Sequence, residues 1–193
     1  MLDLTTAFAT FPILATERLR LRTVTLDDTP AIFRMMSDPR VTRYFGSAPM
    51  VSLNEATQRI EGFQTSFATQ TGIRWAITRQ ESTELLGTCG YWRLMQSHFG
   101  AEIGYELAPD CWGQGIMSEA VAAVLAFGFQ TMGLHRVEAQ IHPANTGSQR
   151  VLEKLGFGQE GYFREHYYEA ETAQFTDTAV FSLLKARWLR RST

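Results

Sequence analysis

The chain has 193 residues, 45% of them hydrophobic, with 18 Lys and Arg against 20 Asp and Glu and a formal net charge of −2. That length suits a single well-filled core, read as one domain over 1–193, and the balanced charge gives no global field to attract nucleic acid or an anionic membrane. Cys89 and Cys111 share no CxxC or Cys/His ligand spacing, so neither a disulfide framework nor a metal site is expected, and a reducing cytoplasm is the simplest setting.

In "MLDLTTAFATFPILATERLR" an Asp stands where a signal peptide carries positive charge, and Thr and Pro break the apolar content. The apolar run "VAAVLAFGF" falls far short of the roughly 20 residues of a membrane span. Neither targeting nor anchoring is expected. "RLRLRTV", Arg18 to Val24, alternates at period two and predicts a strand. "TLDDTPAIFRMMSD" predicts a helix capped at Thr25. Pro39 and Pro49 bracket a predicted loop, and the capping box "SLNE" from Ser52 leads a helix to about Gln70.

Three strands follow, Ile73 to Arg79, Leu85 to Leu94 and Gly100 to Leu107, separated by turn-like "QEST" and "MQSH", and form an antiparallel meander. A helix begins after "CWGQG" and ends near Gly133. Arg136 to His142 is a strand, and "NTGSQRVLEKLGF" is a helix capped by Asn145 and closed by Gly156. Two long strands, Phe157 to Glu169 and Phe175 to Lys185, complete the chain around a polar turn. The order β α α β β β α β α β β implies a mixed sheet with helices packed on it, and the crossover around the glycine helix makes its flanking strands parallel neighbours.

"CWGQGIMSEA", Cys111 to Ala120, opens a helix with two glycines one residue apart. The glycines can serve a plain turn, or they can bare the unpaired amides of a helix N-terminus to an anion. Neither GxxxxGK[ST] nor GxGxxG is matched, because Met117 and Ser118 stand where the second needs its spacing and last glycine.

"EIGYEL", "PDCWGQGIMSEAV" and "NTGSQRVLEKLGF", at these separations, resemble the GNAT superfamily of N-acetyltransferases, and with "ATERLRLR" and "HPANTGSQRVLEKLGF" they resemble its branch of RimJ and RimL ribosomal-protein acetyltransferases. The resemblance implies an α/β (α+β) fold: a mixed, mostly antiparallel seven-stranded sheet with helices on both faces and a splayed parallel pair at its centre. It implies acetyl-CoA as co-substrate, its pyrophosphate held by backbone amides of Gly113, Gln114, Gly115, Ile116, Met117 and Ser118, and its pantetheine arm paired with the Leu107 backbone. Trp112 and Met117 depart from the superfamily pattern Q/RxxGxG/A. Asn145 is expected either as a contact to the arm or as a helix cap, roles that are compatible.

Acetyl transfer needs a neutral amine, a stabilised oxyanion and a proton for the departing thiolate. The resemblance points to Glu102 as base, with a solvated strand-face charge as the alternative; period two puts Glu102 and Glu106 on one face. The superfamily's usual tyrosine acid is replaced by Leu152, and the RimL-like branch suggests Ser148 instead. Tyr44, Trp75, Tyr91, Glu165 and Tyr167 are candidates for an acceptor cleft or for packing, and His98, His135, His142 and His166 are expected to be structural. The expected acceptor is a peptide or protein N-terminus, with a small amine (amino acid, polyamine or aminoglycoside) or a non-catalytic acyl-CoA sensor as alternatives. A homodimer is left open.

Overall fold

In the computed structural model the described residues are 2, 4–169 and 173–191. Eight strands form one sheet: β1 (Leu14–Ala15), β2 (Leu19–Thr23), β3 (Ile73–Arg79), β4 (Gly87–Met95), β5 (Gly100–Leu107), β6 (Arg136–Ile141), β7 (Gly158–Glu169) and β8 (Gln174–Leu184). Their order across it is β1-β2-β3-β4-β5-β6-β8-β7. All neighbours are antiparallel except β5 and β6. The sheet thus has eight strands where seven are expected. The extra one, β1, is two residues paired with Leu21 and Arg20, too short to show alternation in the sequence. Part of the turn between β7 and β8 lies outside the described residues.

Six α-helices among the described residues complete the fold: α1 (Thr29–Met36), α2 (Pro39–Thr42), α3 (Leu53–Ala68), α4 (Ile116–Gln130), α5 (Thr146–Leu155) and α6 (Lys185–Leu189). The segment expected as a loop after Pro39 begins with α2, because Asp38 accepts a hydrogen bond from the Arg40 amide and proline takes the first helical position. The helix expected from Thr25 starts as a single 3-10 turn, Leu26–Asp28, and becomes α-helical at Thr29. No helix among the described residues is long and apolar enough to cross a membrane.

Strand β3 shows why helices cover both faces. Ile73, Trp75 and Ile77 enter the core cluster that includes Val121, Val124 and Leu125 of α4 and Leu152 of α5. Ala76, pointing the other way, joins Ile32 and Met35 of α1 and Ala56 and Ile60 of α3. Leu2, Leu4, Ala7 and Phe8 pack into the first cluster.

The parallel ladder is short. It joins Gly100, Ala101 and Glu102 to Arg136, Val137 and Glu138, and stops there. Beyond it β5 stays paired with β4 as far as Leu107, and β6 with β8 as far as Ile141. Each strand is held by its antiparallel partner, so the sheet opens between them.

Candidate active site

The glycine segment lies just beyond the end of β5. Gly113 and Gly115 have φ of +74° and +76°, and Gly115 is the left-handed N-cap of α4. That region suits glycine, and the resulting path leaves the amides of Gly113 to Ser118 without a backbone partner among the described residues; the helix's first bond runs from Glu119 to the Gly115 carbonyl. Ile116 and Met117 bury their side chains, so their amides are what they present to the loop. A clamp missed in the sequence fixes this turn. Glu119 accepts from Thr16 Oγ1 (2.5 Å), the Arg18 amide (3.0 Å) and Arg18 Nε (2.6 Å), while Arg18 Nη1 donates to the Gln114 carbonyl (3.1 Å). These are residues of "ATERLRLR", which identifies that stretch as the loop's support.

A cleft of about 820 Å³ runs from this loop to α5. Leu107, Gly113, Gly115, Ile116, Met117, Ser118, Asn145 and Ser148 line it. The Gln114 side chain turns away, donating to the Asp110 carbonyl. The Ala108 amide donates to the Leu86 carbonyl, so Leu107 is a non-hydrogen-bonded position of the β4–β5 ladder whose own amide and carbonyl face the opened side. Its carbonyl accepts from Trp112 Nε1 at 2.8 Å, which leaves the amide for an added strand-like ligand. Trp112, the departure from the superfamily pattern, is therefore a fixed wall. Arg40, Arg43, Arg150 and Lys154 also line the cleft, a cationic set that suits a polyphosphate and that sequence spacing does not reveal.

A second cavity, about 510 Å³, adjoins the first; Tyr44, Phe45, Tyr105, Glu106, Asn145 and Ser148 line both. At this junction the Tyr105 hydroxyl lies 2.7 Å from Ser148 Oγ. Burial pushes the Tyr105 hydroxyl above its ordinary range, and the Ser148 hydrogen bond partly offsets this. Tyr105 was missed because alternation alone reads it as a core-facing residue of β5. Asn145 caps α5 by accepting from the Ser148 amide at 3.0 Å, and it also lines both cavities, so its two expected roles coexist in position.

Glu102 and Glu106 share a face of β5, both buried, yet their surroundings differ. Glu102 lines the second cavity, with Oε2 3.1 Å from Arg93 Nη2 in a geometry that makes no hydrogen bond. Burial pushes its carboxyl above the ordinary range, outweighing the pull of Arg93 and Trp92, and Glu138 on the parallel strand adds to the rise. Glu106 accepts from Arg59 Nη2 (3.0 Å), from Thr88 Oγ1 (2.6 Å) and from Arg74. Burial alone would raise its carboxyl, but Arg74 and Arg59 together hold it below the ordinary range. One carboxylate is poised to take up a proton and the other is locked as an anion. Arg59 and Arg74 were not legible as partners because α3 and β3 meet β5 only in the fold.

Of the acceptor-cleft candidates, Tyr44 and Tyr167 line the second cavity. Trp75 and Tyr91 do not: both are core residues, Trp75 donating to the Pro12 carbonyl and Tyr91 to the Val124 carbonyl. Glu165 sits at φ +48° in the β7 irregularity, its amide bound to Asp177. His142, its ring tilted 31° to that of Tyr44 at 5.0 Å between centroids, and His166 border the second cavity. Trp92, the register-shifting residue of β4, borders it too, re-aimed as a bulge does. Among the described residues no three His, Cys, Asp or Glu side chains gather as metal ligands.

Residues 18–158 match the acetyltransferase (GNAT) domain family. The chain is 42% identical over 177 residues to the uncharacterized N-acetyltransferase YoaA of Bacillus subtilis, covering 92% of this chain and 99% of that one. It is 28% identical over 109 residues to the ribosomal protein uS5 alanine N-acetyltransferase of Escherichia coli, covering 56% and 55%. A GNAT-family acetyltransferase structure from Bacillus anthracis superposes with a TM-score of 0.80 at 26% identity, over 91% of this chain and 99% of that one.

Proposed function

The chain belongs to the GNAT family of N-acetyltransferases, and on that footing we propose that it moves an acetyl group from acetyl-CoA to a primary amine, foremost the N-terminal amine of a peptide or protein. Residues 1–193 are read as one catalytic unit. The observation that carries the proposal is the meeting of two cavities at Tyr105 and Ser148, one entered past open helix-N-terminal amides and cations, the other lined by a buried carboxylate and aromatics.

Acetyl-CoA supplies an activated thioester carbonyl. In this reading the amides of Gly113 to Ser118 and the four cations bind its phosphates, and the Leu107 amide orients its arm. The acceptor amine enters through the second cavity and loses its proton to Glu102 through water. After its nitrogen attacks the carbonyl, the C–S bond breaks and the thiolate leaves with a proton from Ser148, while the proton shed by the attacking nitrogen passes through water to Tyr105 and restores Ser148 along the 2.7 Å hydrogen bond. The relative whose name gives a ribosomal protein alanine as acceptor directs the choice toward a protein N-terminus.

Calorimetric titration with acetyl-CoA, beside thiol release on a mixed panel of N-terminal peptides and small amines, tests the reading. Binding with turnover on peptides is expected. Turnover of small amines alone would overturn the peptide assignment, and binding without any turnover would leave a sensor.

A further inference from the structure

One wall of the second cavity holds a local charge imbalance. Glu106 is one carboxylate between two guanidinium groups, and both its oxygens are occupied: Oε1 by Arg59 and Thr88, Oε2 by Arg74. Arg74 is fully engaged, donating also to Thr88 Oγ1 (2.7 Å) and to the Gly104 carbonyl (2.7 Å). Arg59 is not. It reaches Glu106 with one nitrogen, its Nε is buried without a hydrogen-bond partner, and its side chain keeps 28% of its surface open on the cavity side. Phe63 lies beneath both guanidinium groups, 5.3 and 5.6 Å from its ring centre. Three other carboxylates line the cavity away from this cluster: Glu102 beside Arg93, Asp177 held by Tyr162 and the Glu165 amide, and Glu169 at the end of β7.

The cluster therefore carries one positive charge beyond what Glu106 neutralises, centred on the guanidinium that faces the acceptor side. A cation with a buried, unpartnered donor is costly to leave incomplete, and an anion completes it. We propose that the acceptor bears a carboxylate that Arg59 binds while its amine lies at the Tyr105–Ser148 junction. This rests on the acetyltransferase reading and narrows it to acceptors with an acidic group. Two sources have that chemistry: an acidic side chain close to a peptide N-terminus, and the α-carboxylate of a free amino acid.

Paired acceptors test it. One pair is an N-terminal Ala-Asp peptide against Ala-Asn, both C-terminally amidated; the other is free alanine against alaninamide. The wild-type enzyme is expected to favour the acid member of one pair by about tenfold or more in kcat/KM, and the pair that shows it names the source. Arg59→Gln is expected to bring that ratio close to one, and Arg59→Lys to restore part of it. Arg59→Gln leaves Glu106 paired one-to-one with Arg74 and still bound to Thr88, so the fold does not lose its counter-charge. A merely structural role would lower both members together and leave the ratio unchanged, which overturns the inference. So do equal wild-type rates on acid and amide, a result under which the transferase reading itself survives. Should no acceptor release thiol, that reading fails, and titration of the same four compounds into CoA-loaded protein still reads the Arg59 site. Tighter binding of an acid member, lost in Arg59→Gln, supports the inference, and equal binding of acid and amide overturns it.

Discussion

Glu102 can accept a proton from an ammonium only when it is ionised, and its carboxyl is raised by burial. The acid limb of the pH–rate profile is therefore expected above the 4.5 of an ordinary glutamate, and Glu102→Gln should lower kcat by about 10²-fold and remove that limb. The sign for stability runs the same way. The folded chain holds this proton more tightly than the unfolded one, so the contribution is present below 4.5 and is lost as pH rises through the folded value. At the other end of the reaction, Ser148→Ala should lower kcat by about 10²-fold with little change in the KM for acetyl-CoA. Tyr105→Phe keeps the ring and removes the hydroxyl's two hydrogen bonds to Ser148, at Oγ (2.7 Å) and at the carbonyl (3.3 Å), for a loss on the order of tenfold. If Ser148→Ala changes KM alone, its hydroxyl binds but does not donate the proton.

At the level of elements, the glycine turn makes a sharper claim than packing does. A Cβ built on Gly115 would meet only Arg18 Nη2, at 3.5 Å, so the obstacle to alanine there is the left-handed backbone and not crowding. Gly115→Ala is expected to cost about 1–2 kcal/mol in denaturant midpoint at constant m, and to weaken acetyl-CoA binding by moving the amides that bind it. The loop, the two capped helices and the meander were legible because each rests on local chemistry: glycines before a helix, Ser52 and Asn145 at N-caps, turn-like stretches between β3, β4 and β5. What was not legible depends on pairs distant in sequence. Glu119 gives no sign of Thr16 and Arg18, nor Glu106 of Arg59. Trp75 and Tyr91 carry the same aromatic and alternating pattern as residues that do line a cavity, and only the layer of α4 over β3 and β4 decides their burial. The short helix α2 was visible in principle, as the Asp38-Pro39 cap, but two prolines bracketing the stretch suggested a loop.

Across the whole molecule, the site exists because two strands cannot keep both neighbours. β5 follows β4, β6 follows β8, and the opening between them joins the two faces of the sheet at its centre. A ligand that fills this opening bridges halves of the sheet whose ladder to each other is three residue pairs long. Acetyl-CoA at 100 times its Kd adds about 2.7 kcal/mol to folding by mass action. For a chain of this size that is a rise of roughly 5–10 °C in Tm. A Tm unmoved by saturating acetyl-CoA would contradict a folded-state site in this opening.

The clamp of Thr16 and Arg18 on Glu119 and Gln114 has a consequence in time. It holds the glycine turn from the β1–β2 connection at the edge of the sheet through four hydrogen bonds, so the amides stand in place before any ligand arrives. Association then needs no ordering step. In stopped-flow mixing, the observed rate should climb in a straight line with acetyl-CoA concentration, and releasing the clamp with Glu119→Gln should bend that line into a plateau set by the loop's own motion.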